Sequence, residues 1–271
     1  MSSSLGLAIP LEFLEQLERG NVVLFCGAGI SFSEGGLPSG WQLAQELAQR
    51  SAQGDINGLT LPDVAQAYEL ELGHQSLISY LADRIDNPRF VSLPAHHLIA
   101  ELPFKSIVTT NWDNLLEEAL RQAHKPFVKV VKDAEVAFAD NGKTLLLKLH
   151  GSIEQKDSIV IAGDDYYRVL TRLPEVANLI RSYFATRTML FLGFGLADLD
   201  FKRLYIQVVD NLGRHKRRAY AVQLDPTPIS IKYWQEKNVE VIDADAADFL
   251  TALKQQLSLS DQSLSPADKG E

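Results

Sequence analysis

Cysteine is almost missing from this chain: Cys26 is the one cysteine in 271 residues. That excludes an internal disulfide and any zinc site built from several thiolates. Cys26 itself ends an apolar run and reads as a small buried packing residue. Long hydrophobic stretches are lacking too. No run approaches the ~20 apolar residues a membrane-spanning helix needs, and the first residues lack the basic and apolar regions of a secretory signal. A cytoplasmic protein without membrane association is expected. Positive charge is also short, with 26 Lys and Arg against 35 Asp and Glu and a net charge of −9. Such a balance argues against a surface built for direct nucleic-acid binding. The one basic cluster, Arg214-His215-Lys216-Arg217-Arg218, falls between a helix and a strand and reads as a solvated loop. Internal repeats and low-complexity blocks are absent, and 46% apolar with 23% charged residues is ordinary for a globular chain.

What the chain has is alternation. Apolar runs of strand character occur at Val22–Cys26, Phe104–Thr109, Phe127–Val131, Thr144–Leu149, Thr188–Leu192, Ala219–Leu224 and Val239–Ile242. Helical patterns lie between most of them, at Asn114–Ala123, Pro174–Thr186, Asp198–Asn211, Ile229–Lys237 and Ala246–Gln256, with another at Pro10–Arg19 ahead of the first. Strands that alternate with helices, several of them apolar throughout, predict an α/β fold, a Rossmann-like parallel sheet with helices on both faces. From about 41 to 94 the alternation stops, and Trp41–Ser51, Pro62–Leu72 and Gln75–Ile85 read as helices with no strand between them. This stretch is expected to be a small helical insertion that leaves a cleft against the sheet. Residues 1–257 then form a single domain, and the Ser- and Asp-rich segment 258–271 is expected to be disordered.

Polar residues gather where the strands end, which is where open parallel sheets bind ligands. After the first strand comes Gly27-Ala28-Gly29-Ile30-Ser31, a turn of small residues that lets backbone approach a phosphate. After the second comes Thr109-Thr110-Asn111-Trp112-Asp113, after the fourth Leu149-His150-Gly151-Ser152, and after the fifth Gly193-Phe194-Gly195. Asp113 reads equally as a cap of the following helix or as a ligand contact, and Ser31 equally as a turn residue or a contact. His96 and His97 read as packing at a helix start, and Asp164-Asp165 as another helix start, with Tyr166 and Tyr167 beside the cleft.

Taken in order, Gly27–Ser31 with Leu37-Pro38, Pro94-Ala95-His96-His97-Leu98, Thr109–Asp113, Leu149–Gly151 and Gly193–Gly195 resemble the sirtuins, in particular a bacterial zinc-free sirtuin-like branch. Two family features are missing: the four-cysteine zinc module, and the Asp-Phe-Arg that follows the glycine turn in protein-deacylating members. The resemblance implies NAD as substrate, no metal, and cleavage of NAD to nicotinamide and ADP-ribose by the NAD-depleting effector of an antiphage system. It implies Asn111 and His150 as catalytic residues, the histidine as general base. Gly27, Ala28, Gly29, Ser31, Asp113, Gly193 and Gly195 would be the NAD contacts. It further implies a homo-oligomer and a partner defence protein, a HerA-like ATPase or an Argonaute-like protein. The alternatives are an NAD-dependent protein deacylase and a non-catalytic sensor of NAD or ADP-ribose.

Overall fold

A computed structural model describes residues 7–33, 36–139, 142–196, 199–209 and 217–263. Its strands are β1 (Val22–Cys26), β2 (Ser106–Thr109), β3 (Phe127–Val130), β4 (Thr144–Lys148), β5 (Thr188–Leu192), β6 (Ala219–Gln223) and β7 (Val239–Asp243). They form one sheet in the order β3-β4-β2-β1-β5-β6-β7, every neighbouring pair parallel. All five residues of β1, β4 and β5 are buried, as expected of central strands covered on both faces.

The helices are α1 (Leu11–Glu18), α2 (Gly40–Arg50), α3 (Leu61–Leu72), α4 (His74–Ile85), α5 (Pro94–Glu101), α6 (Leu115–Gln122), α7 (Gly163–Tyr167), α8 (Val169–Arg172), α9 (Pro174–Thr186), α10 (Leu199–Val209), α11 (Pro228–Gln235) and α12 (Ala246–Ser263). Alternate strand residues serve opposite faces. Val23, Phe25, Leu147 and Phe191 pack against α9, α10 and α11 through Ile180, Phe201, Tyr205 and Trp234. Val22, Leu24, Leu146 and Leu190 meet α1, α5, α6 and α12 through Phe13, Ile99, Leu120 and Phe249. The α/β, Rossmann-like expectation is met.

Helices α2, α3 and α4 occupy the stretch from about 41 to 94. Leu43, Leu47, Val64, Leu77 and Leu81 give them a core of their own, which meets the sheet domain through Leu115, Ile153 and Ile161. A capping box starts α2: the Gln42 amide donates to Ser39 Oγ at 3.2 Å, and the Ser39 amide donates to Gln42 Oε1 at 2.9 Å. Arg84 on α4 bonds Glu46 on α2 through Nε and Nη2, and the Tyr80 hydroxyl donates to the same carboxylate at 2.6 Å. Helix α12 continues through Ser263, six residues into the segment expected to be disordered, while 264–271 lie outside the described residues. Asp198 and most of the basic cluster, Arg214-His215-Lys216, lie outside them too. No helix among the described residues is long and apolar enough to cross a membrane.

Candidate active site

The chain leaves β1 for strands on one side of it and returns through β5 on the other. The carboxyl ends of β1 and β5 therefore diverge, and a crevice opens at this switch of direction. A cleft of about 660 Å³ lies there, between the sheet and the α2–α4 unit. Ala28, Gly29, Ser31, Asn111, Asp113, His150, Gly193 and Gly195 all line it. Gly27 does not.

Gly27 instead sits behind the wall. A Cβ there would lie 2.6 Å from the Gly193 carbonyl oxygen and 2.7 Å from the Phe194 ring, and one on Gly29 would lie 2.9 Å from Gly193 Cα. Gly193 has φ +72, and a Cβ on it would reach 2.7 Å from the Ile30 nitrogen. The two glycine turns are thus pressed backbone to backbone. Their contact consumes donors: Gly27 N–H bonds Leu192 O at 2.9 Å and Gly29 N–H bonds Gly193 O at 2.9 Å. Ile30 and Ser31 donate to Gly27 O and Ala28 O at 3.3 and 3.0 Å. The expected cradle of amides after β1 is therefore reduced to Ala28. The Phe194 and Gly195 amides, which also lack an acceptor among the described residues, join it on the cleft wall. Their turn is anchored from behind, where Trp234 Nε1 donates to Leu196 O at 2.9 Å and Leu196 N–H to Gln223 Oε1 at 2.8 Å.

The opposite wall is built by side chains. Thr109 Oγ1 donates to Cys26 O and accepts the Asn111 amide, both at 3.1 Å, which curls the chain at the end of β2. Asn111 Nδ2 then donates to Ser31 Oγ at 3.1 Å, while its buried Oδ1 has no partner among the described residues. Asp113 Oδ1 accepts the Leu115 amide at 3.0 Å, so the carboxylate caps α6 while also facing the cleft. Burial beside Asp113 pushes the Cys26 thiol up, so it stays an inert packing group.

His150 follows β4 and is buried. Gly151, at φ +88, makes the turn after it, where a Cβ would fall 2.2 Å from Ser158 O. The imidazole packs against the Tyr166 ring, centroids 4.5 Å apart, and neither ring nitrogen bonds another described residue. Burial alone pushes its pKa down to about 3, so the ring is neutral near pH 7 and has a lone pair to offer.

Two features were missed in the sequence. His96, read there as packing, is fully buried and lies 3.1 Å from Ser31 Oγ. Lys148 is the other, a fully buried lysine in an apolar strand. Its Nζ pairs with buried Glu117 at 3.0 Å, donates to Trp112 O at 3.3 Å and also donates to Asp113 O. Trp112 Nε1 in turn donates to His150 O at 2.9 Å. One cation thereby ties the asparagine loop and the histidine loop together. The signal was available, since a charge inside Leu145-Leu146-Leu147-Lys148-Leu149 demands a buried partner.

A parallel doubly wound sheet with glycine turns and polar strand ends around one crevice is the arrangement at which open α/β sheets take their ligands. Residues 105–242 match the SIR2-like domain model, and the chain belongs to that family. It is 28% identical over 247 residues to defense-associated sirtuin 2 of Bacillus subtilis, covering 86% of this chain and 24% of that protein. It is 30% identical over 216 residues to the NAD(+) hydrolase ThsA of Enterococcus faecium, covering 78% of this chain and 45% of that one. The corresponding protein of Bacillus cereus is 28% identical over 216 residues, with 78% and 44% covered. The chain thus spans about a quarter to under half of the length of these relatives.

Proposed function

We propose that this chain is an NAD glycohydrolase that cleaves NAD to nicotinamide and ADP-ribose, the NAD-depleting effector of a bacterial antiphage defence system acting in the cytoplasm. One observation carries the reading: an unpartnered Asn111 carbonyl oxygen and a neutral buried His150 share a cleft in a SIR2-like fold. The amides of Ala28, Phe194 and Gly195 would receive the pyrophosphate. Breaking the nicotinamide–ribose bond develops positive charge on the ribose, and Asn111 Oδ1 offers electron density there. Asn111 would take a hydrogen bond from a ribose hydroxyl, and His150 would accept the proton of that hydroxyl or of the attacking water. Asp113 would hold the start of α6 and with it the asparagine loop.

Unregulated NAD loss would kill the host, so we further expect a homo-oligomer and gating by a partner, a HerA-like ATPase or an Argonaute-like protein. Names among the relatives favour hydrolysis over deacylation, and a single cysteine cannot build the four-thiolate zinc module of the deacylases. A sensor would need no base. Nicotinamide release by the purified chain is the test, with His150→Ala beside it. Turnover should fall about 10²–10⁴-fold in the variant while NAD still binds. Undiminished turnover in that variant, or no NAD binding by the wild type, would sink the reading.

A further inference from the structure

Hydrogen bonds have a direction, and three of them fix one here. The Leu93 amide donates to His96 Nδ1 at 2.9 Å. A neutral imidazole that accepts at one nitrogen must carry its proton on the other. Burial keeps the ring neutral by pushing its pKa down to about 4, against the pull of Asp113. His96 Nε2–H therefore donates to Ser31 Oγ, 3.1 Å away. Asn111 Nδ2 donates to the same oxygen. A hydroxyl has two acceptor positions and one proton. Both acceptor positions of Ser31 are filled, so its own proton is left for the cleft that it lines.

From this we infer that His96, a residue outside the cleft lining, is a positioning residue that makes Ser31 an obligate donor to the ligand. Resting on the NAD reading above, the inference assigns a polarity to the sugar subsite. Ser31 presents a proton and Asn111 Oδ1, buried and unpartnered, presents a lone pair beside it. A vicinal diol matches that pair: one hydroxyl donates to Asn111 while its neighbour accepts from Ser31. Without His96, the Ser31 hydroxyl regains a free lone pair and can turn away, and the match is lost.

Imidazole ¹⁵N NMR on the full chain reads the tautomer directly, and it does so with or without NAD. The Nε2–H form of His96 is expected; an Nδ1–H form or a charged ring at pH 7 would overturn the inference. NAD affinity by calorimetry supplies the second readout. His96→Ala should weaken NAD about tenfold, the order of one hydrogen bond, and His96→Gln should recover most of it, because its amide can still donate to Ser31. In a Ser31→Ala background the His96→Ala change should do little more. A full tenfold loss there would mean that His96 acts by packing alone and would overturn the proposal. If the wild type binds no NAD yet His96 is in the Nε2–H form, the NAD reading has failed and the direction of the chain stands.

Discussion

The two walls of the cleft are made in opposite ways. The wall at β1 and β5 is built by leaving side chains out: Gly27, Gly29 and Gly193 let two turns meet at distances no Cβ would tolerate. The wall at β2 and β4 is built by putting side chains in. Thr109, Asn111, Ser31, His96, Lys148 and Glu117 form hydrogen bonds and one ion pair between segments 31 to 83 residues apart. The first wall has rigidity with few free donors. The second has chemistry, and it depends on its buried polar groups finding partners, with Asn111 Oδ1 left open to the cleft. Each wall should therefore fail in its own way.

The largest failure belongs to the side-chain wall. Glu117→Ala leaves Lys148 charged and unpaired in the interior, and breaking such a buried pair costs about 3–5 kcal/mol. Replacing both partners, as Lys148→Met with Glu117→Leu, should restore much of that stability, because the cost lies in the orphaned charge. NAD affinity should not recover with it, since the Trp112 and Asp113 carbonyls would still lack their donor. Urea denaturation and calorimetry on the single and double variants separate the two effects. Recovery of both would show that Lys148 has no part in shaping the site.

The glycine wall comes next. Gly193→Ala forces an L residue into φ +72 and puts a Cβ 2.7 Å from the Ile30 nitrogen and 2.8 Å from Gly27 O, all backbone that cannot swing aside. Left-handed strain and overpacking together predict a loss of about 2–5 kcal/mol. Gly40→Ala is the control: Gly40 also lines the cleft, but a Cβ there would meet only Leu61 Cδ2 at an ordinary 3.9 Å, so stability should hardly change. Equal stability losses at both positions would mean that the wall is not held by the Gly193 contact.

This contrast also explains what was legible in the sequence. Strands and helices followed from period and punctuation, because β1 is apolar from end to end, β4 and β5 are nearly so, and α2 carries its own capping box. The glycines announced themselves by residue type, but one reason for them did not: nothing local shows that the turn after β5 will press against Gly27. His96 and Ser31 are 65 residues apart, and Lys148 and Glu117 are 31 apart. Such pairs are set by strand order, which the pattern of one sequence does not contain. Helix α12 runs past the expected boundary for a simpler reason: Ser- and Asp-rich composition does not by itself end a helix.

The smallest expected effect separates the walls by pH. His150 and His96 are held neutral by burial, with pKa values pushed down to about 3 and about 4. In the unfolded chain both return to about 6.5. Between those limits the unfolded state binds protons that the folded state refuses. Stability is therefore full above about pH 6.5 and falls as the solution is acidified, by about 1.4 kcal/mol per pH unit for each histidine. In His150→Phe one of these contributions is gone, so its urea midpoint should decline less steeply than the wild type's between pH 6.5 and 5. The loss caused by Gly193→Ala should be the same at both pH values, because no titrating group takes part in that contact. A His150→Phe slope equal to that of the wild type would mean that His150 is not kept neutral by its surroundings.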